Sequence, residues 1–222
     1  MHRFSPLLLL TLAAPGPALA DLDTSRLRTG TPSVRESGTA RVGDAAAQFA
    51  LAVRYASGDG VPADPQQALH WFTRAAEQGH AEAAASLGVM YNEGQGVNVD
   101  YEAALRWSQQ GASLGSTRAK YSLGLAYYHG QGVTRDFAQS VRWYGQAADD
   151  GYAPAMNNLG IMHGLGEGVP RDDAQAYAWF ITSAARGDED AAKNRDLTRA
   201  DLNAATLAKG EALARGLQAR LP

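Results

Sequence analysis

Past the first residues the chain carries four histidines, His70, His80, His129 and His163. No two of them stand at the i+2 or i+4 spacing that would put both imidazoles on one metal. His163 falls in a column that otherwise holds Tyr55, Tyr91 and Tyr127, so it reads as a helix-packing residue. No cysteine occurs, which removes thiolate ligands, thiol nucleophiles and disulfides together. Glycine pairs recur at Gly58 and Gly60, Gly94 and Gly96, Gly130 and Gly132, and Gly166 and Gly168. Such pairs can cradle a phosphate ahead of a helix. Here each is followed by Asp64, Asp100, Asp136 or Asp172, whose carboxylate would repel phosphate from that helix start. Neither G-x-x-x-x-G-K-[ST] nor a strand-led G-x-G-x-x-G is present. Glycoside hydrolysis would need two carboxylates facing across a sugar-sized cleft, and no feature singles out such a pair. The expectation is therefore no catalytic residue, no metal ligand and no cofactor site.

What positions these residues is one sentence written four times. "GDGVPADPQQALHW" ends at Trp71, and its copies end at Trp107, Trp143 and Trp179, a step of 36 residues each time. Leu51, Leu87, Leu123 and Leu159 keep the same step, as do Ala76, Ala112, Ala148 and Ala184. A fixed period of this size marks a solenoid of stacked supersecondary units. Each copy reads as two helices. Ala47, Leu51 and Tyr55 recur every fourth residue, Gly58 ends the first helix, and Gly60 turns the chain again. Asp64 caps the second helix, Pro65 sits at its first position, and Gln67, Gln139 and Gln175 have the spacing of a capping box. The Trp column is expected to be buried, with Ala52, Gly88, Gly124 and Gly160 allowing close helix contact.

The ends differ from the middle. "MHRFSPLLLLTLAAPGPALA" has a short basic start, an apolar run from Leu7 to Ala14 and a small-x-small close at Ala18-Leu19-Ala20. Residues 1–20 therefore read as a cleavable signal peptide, too short in its apolar run to span a bilayer. Residues 21–43 read as a flexible leader, poor in apolar residues. The repeats occupy 44–188, divided as 45–80, 81–116, 117–152 and 153–188, and 189–222 read as C-terminal capping helices. There Arg195 stands where the period asks for Leu, Thr198 looks like a helix cap, and Leu213, Leu217 and Leu221 share helical spacing. A net charge of −3 shows no basic excess, so nucleic acid is not an expected partner. With no lipidated cysteine and no anchor left after cleavage, the expected location is a bacterial periplasm or the exterior.

The second copy carries Ala83, Leu87, Gly88, Tyr91, Gly94, Gly96, Val97, Asp100, Ala104, Trp107, Ala112 and Gly115. In that pattern the chain resembles the Sel-one-like repeat family, relatives of the tetratricopeptide repeat. Departures are Ala52 for Gly, Gly111 for Ala, Ser140 for Ala, and His163 and Ser183 in the fourth copy. The resemblance implies an all-α, right-handed α-solenoid of four helix-turn-helix repeats with a C-terminal cap. It also implies an adaptor or regulator in envelope assembly, secretion or signalling. Cysteine-rich members of that family have been linked to β-lactam chemistry. No Ser here has Lys three residues on, so that link does not transfer.

The first helix of each copy has a second side, at columns 46, 49, 53 and 56, opposite the constant columns. In tetratricopeptide-like solenoids that side lines a concave groove. The contents of columns 46, 49 and 56 vary between copies, as a partner-facing surface would, while column 53 stays apolar with Val53, Val89, Leu125 and Ile161. Arg118, Tyr121 and Tyr128 stand together on the third copy, with Phe49, Asn92 and Asn157 in the same columns elsewhere. These six residues are the expected binding positions for a protein or peptide partner, the aromatics and Arg being types enriched in hot spots. The competing class is an envelope enzyme or carbohydrate-binding module. Export is tested by N-terminal sequencing of the mature protein from the native host: a start at Asp21 in the soluble fraction is expected, and a retained Met1 would overturn it.

Overall fold

A computed structural model describes residues 43–222, so the signal-peptide reading and nearly all of the leader lie outside the described residues. The described chain is helical throughout, with no strand. Its elements are α1 (Ala45–Ser57), α2 (Pro65–Glu77), α3 (Ala81–Glu93), α4 (Tyr101–Ser113), α5 (Thr117–His129), α6 (Phe137–Asp149), α7 (Ala153–Leu165), α8 (Asp173–Ala184), α9 (Glu189–Asp201) and α10 (Ala204–Arg220). It falls into two compact units, one running up to Arg135 and the other from Asp136 to Pro222. The boundary divides the third repeat between its two helices.

The helix boundaries follow from local chemistry. Gly58, Gly94, Gly130 and Gly166 end α1, α3, α5 and α7 in the left-handed conformation, at φ 77°, 74°, 73° and 74°. Asp64, Asp100, Asp136 and Asp172 cap α2, α4, α6 and α8 through their side chains. The capping box expected of Gln67 and Gln175 does not form in α2 and α8, and α4, with Ala103 at that position, shares the bond that replaces it. The backbone N–H of Asp64 already donates to Tyr55 O at 2.9 Å, that of Asp100 to Tyr91 O at 2.9 Å and that of Asp172 to His163 O at 3.0 Å. In these three repeats the cap of the second helix is thus tied to the first helix of its own pair.

The second glycine of each pair has a role the sequence reading missed. A Cβ on Gly96 would lie 2.6 Å from the carbonyl carbon and oxygen of Pro65, the first residue of the preceding α2. The same construction runs Gly132 into the Tyr101 carbonyl of α4, and Gly168 into the Phe137 carbonyl of α6. Each corner rests directly on the backbone of the previous pair, and any side chain there would hold the two apart.

Burial corrects the tryptophan expectation. Trp71, Trp107 and Trp143 are only partly buried, and of the four only Trp179 is buried, at 6% exposure. The fully enclosed column is the next one, where Phe72, Tyr144 and Phe180 are 0% exposed and Ser108 is 4%. The small-residue column makes room for it. A Cβ on Gly88 would be 2.5 Å from Ser108 Oγ, and one on Gly160 would be 2.5 Å from Phe180 Cε1. In the first unit Phe72 sits in one apolar cluster with Ala52, Ala76, Leu87 and Met90, and Trp71 and Trp107 pack on its outside.

The C-terminal reading also needs correction. Thr198 starts no helix: it lies inside α9 and is 3% exposed. Asp188 caps α9 by accepting the Ala191 N–H at 2.8 Å, in the column that continues from Asp44, His80 and Ser116. So α9 keeps the register of a fifth first helix. The true cap that follows is Asn203, which accepts the Thr206 N–H at 2.9 Å and opens α10. Gly210, Ala214, Leu217 and Leu221 form the buried stripe of α10, with Leu213 only partly covered. Gly210 meets α8 closely, where a Cβ would lie 2.8 Å from Tyr177 Cδ1. Denaturant melts should separate the two aromatic columns. Phe72→Ala should cost about 3–5 kcal/mol and Trp107→Ala about half of that, since much of Trp107 is already solvated. Equal losses would contradict this division of the core.

Candidate interaction surface

The first helix of a repeat is enclosed on more sides than an amphipathic reading allows. α3 packs on α2, α4 and α5. Column 53 is buried (Val53 2%, Val89 5%, Leu125 7% and Ile161 0%), and column 49 is nearly all core, with Ala85 0%, Tyr121 2% and Asn157 0%. Only Phe49, in the first copy, stays partly open. In α3 three neighbours bury residues 83–90 outright and leave only the ends of the helix partly open.

The six expected binding residues accordingly divide. Tyr121 is core and cannot present its ring to a partner. Asn157 is fully buried, and its Oδ1 accepts a hydrogen bond from Asn194 Nδ2 at 2.9 Å, joining α7 to α9. Both placements overturn the groove assignment for column 49. Arg118 is 9% exposed. Its Nη2 donates to Ser86 Oγ at 3.2 Å and its Nε lies 4.0 Å from Glu82 Oε2, so it ties α5 to α3. Phe49 stacks on His80 with centroids 4.4 Å apart and tilts against Phe72 at 5.7 Å. Asn92 and Tyr128 remain half-exposed. They hold the same register on α3 and α5, which pack together, and Tyr128 sets its edge to His129 at 5.1 Å. The strip that survives is Asn92 and Tyr128, with Glu82 at the far end of α3.

Sequence reasoning overlooked His80. Its Nδ1 accepts the Ala83 N–H at 3.2 Å and so caps α3. The signal was present in its column, where Asp44, Ser116 and Asp188 are all familiar caps. Burial holds the His80 imidazole below its ordinary pKa, with nearby Glu82 opposing the shift. Burial lowers His129 and His163 as well, the latter against the pull of Asp172. Asp172 is held below the usual carboxylate range chiefly by Lys209, whose Nζ lies 2.9 Å from Asp172 Oδ2. Among the described residues no group of three or more His, Asp and Glu could hold a metal ion, and no helix is long and apolar enough to cross a membrane.

Comparison with known proteins places this arrangement. The Sel1 repeat model matches residues 45–80, 81–116, 117–152 and 153–188. A protective antigen of uropathogenic Escherichia coli strains, displaying an SLR fold, is 33% identical over 82% of this chain, with a TM-score of 0.67. A Sel1 repeat protein from Oxalobacter formigenes is 34% identical over 69% of this chain, with a TM-score of 0.65. The chain spans 44% of the first structure and 63% of the second. No curated protein matches the sequence. Helix pairs without strands, four matched repeats and these neighbours make the fold an all-α repeat solenoid.

The histidine shifts give a pH dependence with a definite sign. A folded pKa below about 6.5 means that the unfolded chain binds protons first, so stability is complete above that value and falls as pH drops through it. Protonated His80 also has no lone pair left for the Ala83 N–H. The melting temperature should therefore fall between pH 7.5 and pH 5. His80→Ser, which keeps a capping oxygen, should flatten part of that fall. A fall identical in both proteins would remove His80 from the account.

Proposed function

Since the chain belongs to the Sel1 repeat family, whose members are generally protein-interaction scaffolds, we propose that it is a non-catalytic scaffold of the bacterial cell envelope. It is exported by its signal peptide to the periplasm or beyond, and it binds a protein or an extended peptide. Its role belongs to envelope assembly, secretion or signalling. That the E. coli neighbour is a protective antigen is in keeping with an exported protein.

One observation carries the binding surface. Asn92 and Tyr128 are half-exposed in matching positions on adjoining first helices whose other faces are occupied by the scaffold. The equivalent residues in the outer copies are Ala56 and Gly164, so the solenoid does not require a large side chain there. An amide and a phenol on a rigid base offer hydrogen bonds and contact area at low entropic cost. Crosslinking and pull-down from native periplasm supplies the partner for the assay. Asn92→Ala with Tyr128→Ala should weaken binding by about 2 kcal/mol, roughly thirtyfold, with the thermal melt kept. Undiminished binding by the folded double variant would move the surface elsewhere.

A further inference from the structure

The corner of the second repeat differs from the others in what it exposes. Val99 and Tyr101, on either side of the cap Asp100, are 51% and 41% exposed, two of the five large hydrophobic residues exposed in the described chain. They border an open cleft of about 570 Å³ shared with Tyr91, Val97, Glu102 and Gly132. The first copy has Ala63 and Pro65 in the positions of Val99 and Tyr101, whereas the third and fourth copies put Arg135 and Arg171 where Val99 stands. In the fourth copy Arg171 is already neutralised by Asp173 at 2.8 Å. The second copy alone combines large apolar side chains at both positions with no built-in cation.

The charged groups lining the cleft are Asp100 and Glu102, with no Lys or Arg among the lining residues. Asp100 uses Oδ1 on the Ala103 N–H at 2.9 Å, and its other oxygen takes no bond among the described residues. Glu102 has Arg106 at 3.9 Å, with both side chains mostly in solvent, a pairing of little strength. The same chain shows what a cap aspartate of this column accepts. In the fourth repeat, Asp172 takes the Lys209 ammonium from α10, a helix that lays its small and apolar stripe against α8.

We propose that the cleft at Val99–Glu102 docks a lysine-bearing apolar segment of a partner protein, with the ammonium on Asp100 and the aliphatic part against Val99 and Tyr101. This surface is separate from the strip at Asn92 and Tyr128 and adds a second contact to the scaffold. The probe is the peptide N-acetyl-Leu-Lys-Leu amide, titrated into the isotopically labelled full chain and followed by amide chemical shifts. Shifts should centre on Val99, Tyr101, Glu102 and Gly132. The peptide with norleucine for lysine should bind about fivefold more weakly, the upper range for an exposed ion pair. Asp100→Asn, which keeps the capping oxygen, should reproduce that loss without lowering the melting temperature, and Tyr101→Ser should remove most of the binding. Equal affinity for the norleucine peptide, an unaffected Asp100→Asn variant, or no shifts at the cleft would overturn the proposal. Shifts at Asn92 and Tyr128 instead would overturn it while leaving the scaffold function standing.

Discussion

At three corners of the described chain a glycine lies directly against a backbone carbonyl. Gly96, Gly132 and Gly168 sit where a single methyl group would strike the first residue of the preceding second helix. These glycines also have positive φ, between 72° and 69°, or 73° for the last, so both the space and the conformation exclude a side chain. A side chain there would force the corner away from the preceding pair. With the corner seated, the Asp100 N–H meets Tyr91 O and the Asp172 N–H meets His163 O, which fixes the second helix of a pair against the first. The enclosed ring or hydroxyl of the next column can then fill the space above Gly88 and Gly160.

That ordering explains the division of labour among aromatic residues. In the first three copies the Trp column lies at the edge of the core, where a broad ring covers apolar surface with one side in water. Trp71 illustrates this with Arg74 over its ring at 5.6 Å. The side chains that fill the interior are those of Phe72, Tyr144 and Phe180, one residue further on. A step of one residue rotates a helix by about 100°, enough to pass from rim to centre.

Much of the fold was legible in the sequence because its punctuation is local. A left-handed glycine and a capping aspartate act over four residues, so the ends of α1, α3, α5 and α7 and the starts of α2, α4, α6 and α8 could be read without knowing any neighbour. Faces could not. Whether Tyr121 or Asn157 is exposed depends on α-helices far along the chain, and a first helix touching three neighbours has little of the two-sided character that an amphipathic pattern assumes. Thr198 misled for a related reason: threonine caps helices well, but α9 continued in register from Asp188 and buried it. Of the expected binding residues, Tyr128 and Asn92 kept an open side because they lie near the ends of their helices, while Arg118 was drawn into a link with Ser86.

The carbonyls beneath the three glycines belong to Pro65, Tyr101 and Phe137, and in each case the nearest atoms are those of the peptide backbone. That contact is therefore blind to side-chain identity, unlike links such as the one from Arg118 to Ser86. An in-frame duplication or deletion of one full period preserves the glycine-on-carbonyl seat between the copies it brings together, whichever copy is added or lost. The number of repeats in a lineage can drift by such events while each copy's outward residues diverge independently. A gene of this kind can change the length of its binding surface in a single recombination, without first redesigning an interface.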